Sequence, residues 1–304
     1  MADLVIKRRL DDQDVAEVEH LIERVRAADG HQPMDEHRWV DAAHGGRSEF
    51  AGLVLSEPGH DHLLAYAQVT QGTKSWAIDL VIDPHHRYDA LQIAPLLLGE
   101  ATDVIRSEGG GHVHYWVYEP TEAHVRIAAA VGLEAGRDLW QMRVPLPLAE
   151  TTDLVTRPFE PGRDEDAWLE VNNAAFDWHP EQGDWTKDDL VARQQEPWFD
   201  PAGFLIHERD GRMAGFCWTK IHPADEQRPE ALGEIYVIAA HPDFHGLGLG
   251  RALTVAGLAH LAESVSVGML YVDADNDAAV ALYRKLGFEV HHTDRAFVGD
   301  LPPA

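Results

Sequence analysis

Apolar positions along the chain follow two spacings, and the order in which these spacings occur is repeated. Runs rich in β-branched and aromatic residues predict strands, whereas apolar residues three or four positions apart predict helices. In the first series the predicted strands are 4–8, 49–56, 63–71, 75–83, 112–117 and 140–145, and the predicted helices are 11–30, 89–107 and 122–130. In the second series we predict strands from 155 onwards and at 203–209, 212–222, 232–239 and 269–274, with helices through 172–176, 253–261 and 276–287. The repeated order predicts an α/β protein built by internal duplication.

A segment rich in proline and polar residues separates the two series. It begins Pro-Leu-Pro-Leu-Ala-Glu-Thr-Thr-Asp at Pro145, a composition that is typical of a linker. We therefore predict an N-terminal domain at 1–145, a linker at 146–154 and a C-terminal domain at 155–304.

The second series contains a strand, a glycine turn and a helix in direct succession. After the strand, Pro242 stops the ladder because it has no N–H to donate, and His245-Gly-Leu-Gly-Leu-Gly250 follows. Glycines let a backbone approach a pyrophosphate closely, and a helix N-terminus supplies free N–H groups and partial positive charge. This stretch is a candidate phosphate cradle, although glycines at this spacing can also form only a tight turn.

Two motifs make the second series resemble the acyl-CoA binding core of the GNAT acetyltransferases. In that family a Q/R-x-x-G-x-G/A loop holds the CoA pyrophosphate. Here Gly248 and Gly250 match its glycines, and His245 stands where the family usually has Gln or Arg. The family's helix after the next strand is matched at Asn276, Ala279, Leu282, Tyr283, Gly287 and Phe288. The resemblance implies two tandem GNAT domains, each a mixed twisted sheet flanked by helices, with acetyl-CoA as co-substrate.

The same resemblance implies which residues bind CoA. Backbone groups at 238–240 would pair with the pantetheine arm, as an added strand does. The turn at 245–251 would take the pyrophosphate, and the helix at 276–281 would flank the thiol end. The residues concerned are Ile238, Ala239, Ala240, His245, Gly246, Leu247, Gly248, Leu249, Gly250, Arg251, Asn276, Asp277, Ala278, Ala279, Val280 and Ala281.

Acetyl transfer from a thioester to an amine needs a base for the amine and an acid for the leaving thiolate. Glu234 is the candidate base, directly or through a water; the alternative is an exposed carboxylate at a strand end. Tyr283 is the candidate acid, because the family's helix places a tyrosine here and a phenol's pKa of about 10 is near a thiol's of about 8.5. The alternative is an aromatic residue packed under Phe288. We expect the two groups to lie within mutual reach.

The first series lacks these groups. Laying it on the second puts Trp76 opposite Glu234 and Ala128 opposite Tyr283. The residues opposite the two cradle glycines are Ala90 and Gln92. We therefore predict that the C-terminal domain is catalytic and the N-terminal domain catalytically degenerate. Backbone contacts could still hold a second CoA at Leu80, Val81 and Ile82.

Over its whole length the chain resembles the tandem GNAT enzymes of mycothiol biosynthesis. These acetylate the cysteinyl amine of a cysteine–glucosamine–inositol conjugate, desacetylmycothiol, in the last step. The stretches that carry the resemblance are 35–39, 176–183, 218–220, 233–239 and 270–276. By that resemblance the acceptor pocket would be lined by Glu36, Glu181, Lys220, Glu234 and Tyr271. Two alternatives stay open: a GNAT enzyme for another amine (a peptide N-terminus, an aminoglycoside or a polyamine), or a module that senses acyl-CoA without chemistry.

Composition narrows the range of partners. The chain has 52 acidic and 25 basic residues, a formal net charge of −27, which disfavours nucleic-acid binding. It has no apolar run of membrane-spanning length and no secretory h-region. The single cysteine, Cys217, lies in an apolar run, which predicts a core residue and a reducing compartment. The paired histidines lack a third ligand at metal-site spacing. We expect a cytoplasmic monomer that binds a small-molecule amine, and neither membrane, nucleic acid nor metal.

Overall fold

The computed structural model describes residues 3–31, 33–34, 39, 50–57, 59, 62–72, 75–177, 183, 185–225 and 228–304. The strands are β1 (Asp3–Lys7), β2 (Phe50–Ser56), β3 (Ala65–Gln71), β4 (Trp76–Ile82), β5 (Gly111–Tyr118), β6 (Glu134–Pro145), β7 (Arg157–Pro158), β8 (Phe204–Arg209), β9 (Arg212–His222), β10 (Leu232–Ala240), β11 (Val267–Asp273) and β12 (Glu289–Leu301). The α-helices are α1 (Asp12–Asp29), α2 (Ala90–Ser107), α3 (Glu122–Ala130), α4 (Glu165–Ala175), α5 (Lys187–Gln194), α6 (Leu249–Leu261) and α7 (Asp277–Lys285). Short 3₁₀ turns lie at Pro84–Asp89, Pro201–Gly203 and Pro242–Phe244.

The first of two units consists of Met1–Leu139 and His292–Ala304. Its strand order is β1-β2-β3-β4-β5-β12, with β4 and β5 parallel and the other neighbours antiparallel. Helix α1 begins after Asp11, whose carboxylate accepts the N–H groups of Gln13 and Asp14. Helix α2 packs against β2, β3 and β4 and contributes most of its apolar face to the core of this unit.

The second unit, Trp140–His291, has the strand order β6-β11-β10-β9-β8-β7. Helices α6 and α7 cover one face of its sheet and α4 and α5 the other, and each face has its own apolar cluster. Helix α6 packs close to β9 at Gly257, where an added Cβ would lie only 2.4 Å from the Cys217 Sγ. Cys217 is fully buried, which raises the pKa of its thiol to about 12, and its assignment to the core is confirmed.

These units differ from the domains predicted at 1–145 and 155–304. The first boundary falls between Leu139 and Trp140, inside β6 and ahead of the proposed linker. The last strand returns to the first unit, where residues 294–301 of β12 pair with 111–118 of β5. Local strand propensity carries no information about a partner nearly 200 residues away, so the sequence pattern could not place β12.

Strand β10 changes the face to which its side chains point part-way along. Its register with β9 shifts between Ile235 and Val237, which is the mark of a β-bulge. Ile235 accordingly belongs to the cluster under α6 and α7, whereas Val237 and Ala239 belong to the cluster under α4 and α5. The described parallel pairing with β11 runs from Gly233 only as far as Ile235. The bulge and the end of this pairing coincide.

Four predicted helices are confirmed, those at 11–30, 89–107, 253–261 and 276–287. The sequence pattern missed α5 and β12 as separate elements. Within the described residues, no helix combines the length and apolar character needed to cross a membrane.

Candidate active site

A buried carboxylate, Glu234, lies within the sheet of the second unit. It is paired with Lys220 on β9 and with Met269 on β11, and only 7% of it is exposed. Its Oε2 lies 2.6 Å from Nε2 of His222, near the end of β9. The alternative interpretation of Glu234 as an exposed strand-end carboxylate is therefore wrong.

Three of the predicted acceptor-site residues share one face of this sheet. Lys220 and Glu234 are direct antiparallel partners, and Tyr271 lies two residues beyond Met269 on the neighbouring strand. The Tyr271 hydroxyl accepts a 2.8 Å hydrogen bond from Nε2 of Gln141, and 41% of Tyr271 is exposed. Gln141 was missed because β6 lay outside the predicted C-terminal domain.

Aromatic rings hold Lys220 on this face. Its Nζ lies 4.5 Å from the ring centroid of Trp198 and 5.8 Å from that of Tyr236, within the range of cation–π attraction. The Tyr236 hydroxyl accepts a 3.2 Å hydrogen bond from Nε of Arg193. Alternation along β10 places Tyr236 on the Glu234 side and is visible in the sequence, whereas no sequence pattern pointed to Trp198 or Arg193.

Tyr283 lies in the apolar cluster under α6 and α7, with its ring centroid 5.6 Å from that of Phe288. Burial, and secondarily the nearby Cys217, raises the pKa of its hydroxyl well above the usual range, so the phenol stays protonated at neutral pH. Ile235 belongs to the same cluster, so the adjacent Glu234 projects from the opposite face of the sheet. Glu234 and Tyr283 therefore project to opposite faces of the sheet, and their mutual reach stays a prediction.

The glycine turn has the form of an anion cradle. Gly246 and Gly248 adopt φ values of +78° and +75°, the left-handed region that favours glycine. Gly248 is the N-cap of α6, no described side chain caps that helix, and its first turn carries no acidic residue. A Cβ on Gly250 would find its nearest heavy atom, Leu282 Cδ2, at 4.0 Å. Free N–H groups and open space together fit a pyrophosphate.

Strand β10, which leads into the cradle, is paired on only one edge at residues 238–240 among the described pairs. Residues 238–240 pair with Gly215, Phe216 and Cys217 of β9, and they lie beyond the last described pair with β11. Their second edge therefore faces the place where β10 and β11 no longer pair. An extended amide chain such as pantetheine could pair there.

Other predicted CoA-binding side chains are engaged within the protein. The Arg251 guanidinium donates two hydrogen bonds to the Glu150 carboxylate, one of them 2.7 Å from Nε to Oε1. The Asn276 Oδ1 accepts the Ala279 N–H at 3.2 Å and so caps α7. Three further residues of the predicted set are buried, Ala239, Leu249 and Val280. These positions offer mainly backbone groups to a ligand.

The corresponding strand of the first unit is more regular. Leu80, Val81 and Ile82 pair with β3 in a register that continues without a shift along β4. The described pairing of β4 with β5 ends at Ile78, and the turn Pro84–Asp89 before α2 contains no glycine. A second CoA at these residues stays a prediction. Glu36 and Glu181 lie outside the described residues.

The paired histidines make contacts other than metal ligation. Nδ1 of His85 lies 2.9 Å from Oδ1 of Asp83, and Nδ1 of His112 lies 2.8 Å from Oδ1 of Asp300. Across the part of the chain that the structure describes, no group of three His, Cys, Asp or Glu residues could hold a metal ion.

Known proteins share both the sequence and the fold. Residues 168–288 match the Acetyltransferase (GNAT) family. A mycothiol acetyltransferase of Acidimicrobium ferrooxidans is 41% identical over 294 residues, which cover 93% of this chain and 93% of that one. The chain belongs to the mycothiol acetyltransferase family. A second member, from Thermobispora bispora, is 43% identical over 274 residues, covering 88% of this chain and 90% of that one.

Solved structures share the fold of two tandem GNAT domains. A GCN5-related N-acetyltransferase from Sphaerobacter thermophilus matches with a TM-score of 0.70 at 22% identity, over 99% of this chain and 96% of that one. A tandem GNAT protein from the clavulanic acid biosynthesis pathway matches with a TM-score of 0.70 at 16% identity, over the whole of both chains. The tandem GNAT fold predicted from the sequence is confirmed, and this member of the mycothiol acetyltransferase family is an acyltransferase.

Proposed function

We propose that this enzyme transfers the acetyl group of acetyl-CoA to the cysteinyl amine of desacetylmycothiol. The observation that carries the proposal is the buried carboxylate of Glu234, on the same face as Lys220 and Tyr271 and on the strand that leads into the α6 cradle. The name shared by relatives that are 41% and 43% identical supports the same acceptor. The second unit is the catalytic one, and the first is catalytically degenerate.

Acetyl-CoA would supply an activated acetyl carbonyl. The N–H groups at the start of α6 would hold its pyrophosphate, and the free edge of β10 at 238–240 would pair with its pantetheine arm. The described pairing of β10 with β11 ends at Ile235, next to Glu234. A thioester at this opening would lie between the sheet face that carries Glu234 and the face that carries Tyr283. From the two faces, Glu234 could act as the base on the acceptor amine and Tyr283 as the acid on the leaving sulfur.

Glu234 takes a proton from the acceptor nitrogen, directly or through a water. An α-amino group has a pKa of about 8, so much of it is protonated at neutral pH and cannot attack without a base. The neutral nitrogen then forms a bond to the acetyl carbon, loses its second proton to water, and the carbon–sulfur bond breaks. Tyr283, kept protonated by burial, donates its hydroxyl proton to the leaving sulfur and is reprotonated from water, to which Glu234 also releases its proton.

The polar face suits an aminated sugar conjugate. Tyr271 and Gln141 offer a hydroxyl and an amide for sugar or inositol hydroxyls, and Trp198 offers an aromatic surface beside Lys220. The carboxylate of Glu234 offers a negative charge to the substrate ammonium. A peptide or polyamine would use the carboxylate but not the hydroxyl-binding groups.

The test is a comparison of acceptors by mass spectrometry. The enzyme is incubated with acetyl-CoA and desacetylmycothiol, a peptide, an aminoglycoside or spermidine, and each product is treated with iodoacetamide. We expect one acetyl group to be added to desacetylmycothiol and its thiol to stay reactive, since transfer is to nitrogen. Preferred turnover of another amine would contradict the proposed acceptor.

Substitution of the proposed base tests the site itself. Glu234→Gln should lower kcat by about a hundredfold or more, with the Kd for CoA nearly unchanged. Glu230→Gln is the matched control, because Glu230 is an exposed carboxylate on the loop before β10 that accepts a hydrogen bond from the Ser266 hydroxyl. Equal effects of the two substitutions would remove Glu234 from the mechanism.

A further inference from the structure

His222 lies beside the proposed base. It is the last residue of β9, paired with Leu232, two residues before Glu234 on β10. Residues two apart on a strand share a face, so His222 and Lys220 both project on the Glu234 side of the sheet. His222 was not among the residues singled out from the sequence, since the register across the intervening loop is not visible there.

The contact between His222 and Glu234 is short and specific. Nε2 of His222 lies 2.6 Å from Oε2 of Glu234. An ionised carboxylate can only accept hydrogen bonds, so a hydrogen bond in this contact requires the hydrogen on Nε2. Among the described residues, His222 is the one side chain that hydrogen-bonds the Glu234 carboxylate. Glu234 is 9% exposed at its side chain and His222 is 24% exposed, so His222 closes the carboxylate off from water on one side.

Lys220 does not share this task, although it is the direct strand partner of Glu234. No ion pair joins the two among the described residues, and the Lys220 ammonium lies against the rings of Trp198 and Tyr236 instead. The carboxylate is thus held at Oε2 by an imidazole. Its other oxygen, Oε1, makes no hydrogen bond to a described residue.

We propose that His222 is a positioning residue for the base. Its Nε2–H holds Oε2 of Glu234, so that Oε1 is presented to the acceptor nitrogen and takes the proton. This inference rests on the proposed function, in which Glu234 acts as the base. Misplacement of a reacting group by about 1 Å can lower the rate by about a hundredfold, so a contact that fixes the orientation of the Glu234 carboxylate should raise the rate.

A double-mutant cycle tests the proposal. His222→Leu removes the donor and should lower kcat by about ten- to a hundredfold, with KM for acetyl-CoA changed by less than about twofold. His222→Gln keeps an N–H near the position of Nε2 and should recover at least about a third of wild-type kcat. In the Glu234→Gln background, His222→Leu should cause no further loss, because there is no longer a base to position.

The opposite results would overturn it. If His222→Leu lowers kcat by the same factor in both backgrounds, or if Gln fails to restore activity, His222 does not act through Glu234. His207→Leu is the control: Nδ1 of His207, on β8, lies 2.9 Å from the Val155 carbonyl oxygen, and loss of this contact should leave kcat unchanged. Unfolding midpoints of all variants show whether they fold.

A measurement without turnover separates this inference from the proposed acceptor. In ¹⁵N NMR spectra of the histidine rings, the wild type should show His222 with its hydrogen on Nε2, and Glu234→Leu, which offers no acceptor, should weaken that preference. If desacetylmycothiol is not acetylated, the proposed acceptor fails while this readout still tests the contact. If the tautomer is the same in both proteins, the positioning role fails whatever the acceptor.

Discussion

Gly250→Ala should separate the stability of the fold from its capacity to bind CoA. Gly250 is the second residue of α6, and its added Cβ would meet nothing closer than Leu282 Cδ2 at 4.0 Å. Alanine favours a helix over glycine, so the free energy of unfolding should rise by about 0.5–1 kcal/mol. The methyl group would occupy the space through which a pyrophosphate must approach the N–H groups of the first turn. CoA binding should therefore weaken by at least about tenfold, which corresponds to about 1.4 kcal/mol.

Thermal unfolding with and without CoA measures both effects at once. Without ligand the variant should unfold about 1–3 °C above the wild type, and the further rise that CoA produces should be markedly smaller. Gly99→Ala in α2 is the matched control, because Gly99 is also a helix glycine with no heavy atom within 4 Å of its Cβ position. It should gain stability and leave the CoA effect intact. A Gly250→Ala protein that binds CoA like the wild type would show that the pyrophosphate does not approach α6 here.

Three further substitutions test the site and its support. Tyr283→Phe should lower kcat by at least about tenfold, because it removes the proposed acid. Burial raises the pKa of the Tyr283 hydroxyl, so a pH series on the wild type should show no loss of rate from its ionisation below about pH 10. Glu150→Gln frees the Arg251 guanidinium and removes a negative charge near α6, so CoA should bind about two- to fivefold tighter by calorimetry; unchanged affinity would place Arg251 away from the phosphates. Gly257→Ala brings a methyl to 2.4 Å from Cys217 and should destabilise the fold by about 1–3 kcal/mol in urea, whereas wild-type stability would contradict the close packing of α6.

The sequence predicted those features that depend on local chemistry. The glycine turn at Gly248 depends on backbone geometry that few residue types other than glycine adopt, and it is found where the pattern placed it. The burial of Cys217 followed equally from its apolar neighbours. Each of these is decided within a few residues of chain.

Features that depend on the pairing of distant segments could not be predicted. The partner of β12, the bulge after Ile235 and the contact of His222 with Glu234 all depend on strand register. A shift of register by one residue reverses the face on which a side chain lies, and no residue type records it. For the same reason the sequence pattern could not show that Glu234 and Tyr283 project to opposite faces of the sheet.

The return of β12 to the first unit bears on how the protein is made. During translation the first unit has β1 to β5 as soon as they emerge, but β5 lacks its antiparallel neighbour until residues 294–301 have been synthesised. This edge of β5 therefore stays unpaired until the whole second unit has been synthesised. A gene fragment that stops after His291 would lack the strand that pairs with this edge of β5, so the first unit needs the last residues of the chain to complete its sheet.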